Sequence, residues 1–298
     1  MSVLNTFEAV PGRLLSLYEV LFHREKGMEE SVLEACATPA TLRKTEKTQL
    51  FNSPFAEARN MGMVQIEDGR VRLTKEARSG GKPRGDHEKH FRLFLRGVLL
   101  DPDRAEAAQQ GKFLLALSWL LTRDPLKPIQ FSLPFVDAIN EEIEDGARAL
   151  DLSTPSHSQN LLYWARYLGF ATIFGGGSGG DDASSRRAIP DPCRAIAEVL
   201  GEVFDGPGAL APPQFLERLS AIYPCLEMGR SRERFLNLRK AGRDHYDTKL
   251  SIATSLALQR LANQHKLILS NPADAAAVIL DFGVRQRRVS RIEPGSAV

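Results

Sequence analysis

The chain has 298 residues, 43% of them hydrophobic and 26% charged, with a formal net charge of +2. That balance excludes wholesale disorder and leaves room for two or three domains of roughly 100 to 150 residues. Phe113–Leu121 is the longest apolar run, far short of the roughly 20 residues that a bilayer span requires. Cys36, Cys193 and Cys225 are too few and too scattered for a disulfide framework or a thiolate zinc site. With no secretory signal at the N-terminus, the expectation is a cytoplasmic chain with reduced thiols and no membrane contact.

Pro11 suits the first turn of a helix, and Leu14, Leu15, Leu17, Tyr18, Leu21 and Phe22 follow at helical spacing. Glu30–Cys36 reads as a short helix with Val32, Leu33 and Cys36 inward. Ser53 as cap, Pro54 as first helical residue and Gly62 as stop delimit a third helix. Met63–Glu67 and Arg70–Thr74 then read as strands around Asp68-Gly69, a strong hairpin signal. Three helices and a hairpin within residues 10–76 make one winged helix-turn-helix unit.

Ser79–Asp86 is a linker by composition. Phe91, Leu93, Phe94, Leu95, Val98 and Leu99 predict an apolar helix ended by Asp101-Pro102. Phe113–Leu121 and Phe135–Ile143, the latter opened by Pro134, predict two more. Thr154-Pro155 and Gly169 delimit a long helix, with Leu161, Leu162, Trp164, Ala165 and Leu168 apolar. Its hairpin is expected at Phe170–Phe174 and Arg187–Ile189, with Gly175–Arg186 as a loose tip.

Helices are next expected at Pro192–Phe204, Phe215–Ile222 and Ser231–Lys240. Another, capped by Asp247 or Thr248, runs to about Asn263. Its hairpin is expected over Lys266–Asp281, turning through Ser270–Asp274 and returning along Ala277–Leu280, with Arg285–Ile292 as a tail. The expected fold is mainly α with small β-hairpins (α+β), a tandem array of winged helix-turn-helix units. The domains are expected at residues 1–80, 86–191 and 192–298.

No chemistry-bearing constellation emerges from the residues. Gly175–Gly180 lacks the Lys-Ser/Thr of a phosphate loop, and Gly-x-Ser-x-Gly is matched only within that run. His87 and His90 are three apart with no third ligand in view, so no metal site is expected. Glu141, Glu142, Glu144 and Asp145 read as a solvated helix end rather than a converging acid–base pair. The expectation is a protein that is not an enzyme and uses no cofactor.

Charge carries the positive reading. From Leu226 to Val298 there are 13 Lys and Arg against 7 Asp and Glu, a net of +6, which leaves −4 for the rest. A basic end beside an acidic remainder points to a polyanion. The candidate nucleic-acid contacts there are Arg230, Arg232, Arg234, Arg239, Lys240, Arg243, Lys249, Arg260, Arg285, Arg287, Arg288 and Arg291. Arg230, Arg234 and the Arg239/Lys240 pair are expected near one helical face. Lys47 before the first recognition helix, and Arg70 and Arg72 alternating on its returning strand, are candidates in the first unit.

Three stretches resemble one family. They are Met1–Asn5 leading into Pro11-Gly12-Arg13-Leu14-Leu15, the helix Leu250–Leu261, and Gln286-Arg287-Arg288-Val289-Ser290-Arg291-Ile292. Together they are similar to the DpdG family of bacterial Dpd gene clusters, which install 7-deazaguanine bases in DNA and restrict DNA that lacks them. The resemblance implies a role in the restriction arm of a phage-defence system and supplies no catalytic residues. Two functions compete. One is a non-catalytic component that binds double-stranded DNA while other subunits cleave it. The alternative is an adaptor whose winged helices dock protein partners of a motor or nuclease complex, or a second copy of the chain, without touching DNA.

Overall fold

In this computed structural model the described residues are 2–6, 8–38, 50–78, 87–131, 135–175, 185–206, 208–240, 248–272 and 276–296. Lys47, Arg243, Asp247, Pro134, the linker 79–86 and most of the Gly-rich tip (176–184) lie outside them. The chain divides into two units, Met1–Phe113 and Leu114–Val298. About 52% of the described residues are helical, with small antiparallel sheets, an α+β fold. No helix among the described residues is long and apolar enough to cross a membrane.

Pro11 opens α1 (Pro11–Phe22), whose buried Leu14, Leu17, Tyr18, Leu21 and Phe22 recur at helical spacing. Helices α2 (Glu30–Ala37) and α3 (Asn52–Asn60) pack on it. In α2 Leu33 is buried, whereas Val32 and Cys36 are exposed, contrary to expectation. Adjacent helical residues point about 100° apart, so a helix of two turns cannot aim Val32 and Leu33 at one neighbour. Strands β1 (Val64–Glu67) and β2 (Arg70–Leu73) pair from Val64↔Leu73 to Glu67↔Arg70. Asp68 at φ 51 and Gly69 at φ 71 make the left-handed turn that such a tight hairpin needs. Met28, just before α2, exchanges two backbone hydrogen bonds with Val71 of β2, at 3.1 and 2.8 Å. After α4 (Lys75–Arg78), α5 (His87–Leu99) lays its buried face on α1, with Phe91 5.2 Å from Tyr18. Asp101 caps α6 (Pro102–Ala107) by accepting from the Asp103 and Arg104 amides.

Glu57 of α3 is fully buried in this unit. Its carboxylate accepts from Gln110 Nε2 at 3.1 Å and Thr6 Oγ1 at 3.3 Å, yet burial pushes it above its ordinary value of 4.5. The folded state therefore holds this proton more tightly than the unfolded chain does. Its contribution is complete below 4.5 and is lost as pH rises through the raised folded value. Urea unfolding followed upward from about pH 4 should show that loss, and Glu57→Gln should remove it.

The second unit begins within α7 (Gly111–Leu120). Then come β3 (Ile129–Gln130), α8 (Val136–Glu142), α9 (Gly146–Ala149), α10 (Pro155–Leu168), β4 (Ala171–Phe174) and β5 (Arg187–Pro190). Thr154 Oγ1 accepts from the His157 amide, and Gly169 ends α10 at φ 87. A Cβ at Gly169 would lie 2.9 Å from the Ala195 nitrogen, so only glycine fits this approach. The sheet order is β3-β5-β4, with the strand preceding α8 paired to the returning strand. Trp119 and Trp164 are buried in this half of the unit, each worth several kcal/mol by the usual area scale of about 25 cal/mol per Å².

Helices α11 (Cys193–Phe204), α12 (Pro212–Ile222), α13 (Arg230–Leu238) and α14 (Ile252–Asn263) follow. The cap of α14 is Ser251, whose hydroxyl accepts from the Thr254 amide at 3.3 Å, rather than Thr248. The hairpin expected over Lys266–Asp281 is also corrected. Strand β6 (Leu267–Ser270) pairs with β9 (Arg291–Pro294), and β7 (Val278–Asp281) with β8 (Gln286–Val289). The registers run on from Leu267↔Pro294 to Asp281↔Gln286, so β6 and β7 form one outgoing arm whose pairing stops at Ser270 and resumes at Val278. The supposed tail is the return arm. Phe282–Arg285 is the turn, closed by Phe282 N–H to Arg285 O at 2.9 Å around Gly283 at φ 79. The run Ser270-Asn271-Pro272 imitates a turn, but Ser270 is the last residue of β6, paired with Arg291. Leu210, before α12, bridges Ile292 of β9 at 2.8 and 3.0 Å.

One connection thus recurs three times among the described residues. A residue or short strand before the second helix (Met28, β3, Leu210) pairs with the return arm of the later hairpin (β2, β5, β9).

Candidate nucleic-acid interface

Arginine has structural uses in this chain before it is available to any ligand. Carbonyls at helix C-termini lack backbone donors, and guanidinium groups satisfy them. Arg78 donates to Leu21 O and Phe22 O of α1 at 3.0 and 2.9 Å. Arg218 donates to Val203 O and Phe204 O of α11 at 3.0 and 3.1 Å. Arg194 donates to Tyr167 O and, at 3.1 Å, to Arg166 O at the end of α10.

The sequence-predicted contacts fall into distinct groups. Arg232 is corrected outright: it is 2% exposed, donates to Ser118 O at 3.0 Å and lies 3.7 Å from buried Glu227. Glu227 in turn accepts from the Ser251 amide at 3.1 Å and Thr254 Oγ1 at 2.7 Å, tying α7, α13 and α14 together. The helical stripe is broken as well. Helix α13 ends at Leu238, and Arg239 is extended (φ −70, ψ 137) and pairs with Glu142 at 3.7 Å. Glu142 also takes both ends of the Arg123 guanidinium. Lys240 Nζ reaches Asn140 O at 2.5 Å.

Other candidates meet carboxylates at the surface. These pairs are Arg72–Glu67 at 3.3 Å, Lys249–Asp281 at 2.8 Å, Arg260–Asp191 at 2.5 Å and Arg291–Glu293 at 2.8 Å. The hydrogen bond that Lys249 donates holds the Asp281 carboxyl below its ordinary value, and the one that Arg260 donates to Asp191 raises Arg260. The cation of each pair is open to water, although Asp191 and Asp281 are only 12% and 13% exposed. Pairs open to water are worth about 0–1 kcal/mol, so a phosphate can compete for the cation at little cost.

The third hairpin presents exposed arginines. On β8, Gln286, Arg287 and Arg288 are exposed and Val289 is buried. Neighbours on a strand point to opposite faces, so Arg287 and Arg288 diverge. Arg287 braces the hairpin on α14, donating to Gln259 Oε1 at 2.8 Å and Leu269 O at 2.7 Å. Arg285 stacks over the Phe282 ring at 5.4 Å. Arg230 and Arg234 of α13 are exposed, as is Arg70 on β2, 3.5 Å from Gly27 O.

Sequence reasoning missed the recesses. In the first unit Arg24, Lys26, Arg70 and Arg78 line a cavity of about 620 Å³. In the second, Arg166, Arg194, Arg260 and Lys266 line one of about 440 Å³, together with Asp191 and Thr172. Arg166 and Arg194 stand alone among apolar neighbours, and Arg260 and Lys266 stand singly after Gln259 and His265, so no local run of charge announces them. Among the described residues no group of three His, Cys, Asp or Glu side chains is placed to hold a metal ion.

The chain is thus an α+β protein of small helix-and-hairpin units whose surface chemistry is that of arginine. A family model described as DpdG-like matches residues 1–275 of the 298. The chain belongs to the DpdG-like family, which suggests involvement in Dpd modification systems. No curated protein and no solved structure matches it.

Proposed function

We propose that this chain is a non-catalytic, double-stranded-DNA-binding component of a bacterial phage-defence assembly that restricts DNA, with cleavage performed by other subunits. The observation that carries the reading is the connection made three times, by Met28, β3 and Leu210. A bridge before the second helix, then a last helix running into a hairpin whose return arm takes up that bridge, is the order of a winged helix; α9 and α13 are extra helices before the last one in the second and third copies. On this reading α3, α10 and α14 hold the recognition position, where a helix enters the major groove. The hairpins then flank the groove, and Arg70, Arg285 and Arg288 meet phosphates.

Sequence preference should be weak. On α14 the Gln259 amide donates to Asn263 Oδ1 at 2.9 Å while its oxygen accepts from Arg287. The side chains suited to reading adenine therefore satisfy one another. The test is fluorescence anisotropy of the purified chain on two unrelated duplexes; equal binding to both supports the proposal, and no binding at low salt removes it.

A second reading, the protein adaptor, rests on the tip of the third hairpin. Val284 there is 95% exposed, and Leu126, 55% exposed, lies against Gly283. Apolar side chains displayed together beside arginines suit a protein partner as well as a groove. If DNA binding fails, Val284→Asp should then disrupt assembly with a partner.

A further inference from the structure

We propose that the cleft between the end of α10, the start of α11 and the end of α14 is a phosphate-binding site. The site stands on its own geometry and rests on the DNA-binding reading only for the source of the phosphate.

The cleft has a volume of about 440 Å³, and Arg166, Arg194, Arg260 and Lys266 line it. One carboxylate, Asp191, faces them among the described lining residues. Asp191 accepts from Thr172 Oγ1 at 3.0 Å, from the Cys193 amide at 3.2 Å and from Arg260 at 2.5 Å. The fold has thus placed its own anion at the first amide of α11, where anions are favoured. Glu198, one turn along α11, also lies 3.9 Å from Arg194. The two carboxylates leave a surplus of two among the four lining cations, in a recess whose walls concentrate the field. Arg194 is held by the carbonyls at the end of α10, so its guanidinium needs no ordering on binding.

A phosphate oxygen presents the same acceptors as the Asp191 carboxylate with more charge, and arginine forks suit it. Arg260 exchanges Asp191 for the phosphate, while Arg166 and Lys266 close on its other oxygens. Binding adds no covalent step.

Two opposed substitutions in the full chain test this. Arg166→Gln with Lys266→Gln removes one exposed and one half-buried cation, neither of which caps a helix. Asp191→Asn removes the competing charge while keeping an acceptor for the Cys193 amide, since Asn caps as well as Asp. The probes are a duplex, read by anisotropy across salt, and inorganic pyrophosphate, read by its shift of the unfolding temperature. For a backbone phosphate, the double variant should lower the log–log salt slope on duplex by about 1.8, at about 0.9 per contact. Asp191→Asn should tighten duplex binding about two- to fivefold, the worth of an ion pair whose arginine is open to water.

If pyrophosphate instead stabilises wild type but not the double variant, while duplex binding is unchanged, the phosphate is a free one and the cleft stands. Pyrophosphate stabilisation without any duplex binding by wild type keeps the cleft and removes the DNA reading. Duplex binding untouched by both substitutions, with no effect of pyrophosphate, overturns the cleft and leaves DNA binding intact.

Discussion

Replacing Arg232 with alanine is expected to cost about 3–5 kcal/mol in the Leu114–Val298 unit, the largest effect of any single substitution considered. The guanidinium is 2% exposed and Glu227 is 5% exposed, so neither charge has water to fall back on. Alanine leaves the Glu227 carboxylate buried beside an unfilled space and frees Ser118 O. Glu227→Gln should be milder, because an amide oxygen can still accept from the Ser251 amide. In the background of Arg232→Met it should recover part of the loss, since no unpaired charge then remains. Urea unfolding monitored by tryptophan fluorescence reads this directly: both tryptophans, Trp119 and Trp164, are buried in that unit. A loss below about 1 kcal/mol would mean that the pair is not buried in solution.

Replacing Arg230, Arg234 and Arg288 together with alanine is expected to weaken duplex binding at least about tenfold, equally on every sequence, and to flatten the salt slope by about 2.7. All three are exposed, on α13 and β8. The change should leave folding almost untouched, because exposed charges contribute little to stability. Arg232 gives the contrast within the same helix: its loss should reduce stability first, and binding only through unfolding.

Local signals carried much of the fold into the sequence. Thr154, Pro155 and Gly169 mark the ends of α10 because a cap, a fixed φ and a positive φ are each demanded by backbone geometry. Asp68-Gly69 marks the first hairpin for the same reason. The third hairpin differs from its sequence reading because the pairing of its outgoing arm stops at Ser270 and resumes at Val278, and that continuity is a tertiary fact. The candidate interface was less legible still. Arg230, Arg232 and Arg234 look alike in sequence, and burial alone makes Arg232 a strut between helices. Arg166, Arg194, Arg260 and Lys266 are spread over a hundred residues and meet only through packing.

The central claim is that phosphate contacts from exposed arginines and lysines hold this chain on duplex DNA. Anisotropy of the wild-type protein on two unrelated duplexes between about 50 and 200 mM salt measures it most directly. The account predicts binding at the low end, near-equal affinities for the two sequences, and a log–log slope steeper than about −3, the product of several contacts at 0.9 each. Absence of binding at about 50 mM salt, or a slope near zero, would contradict it and assign the basic surface to protein partners.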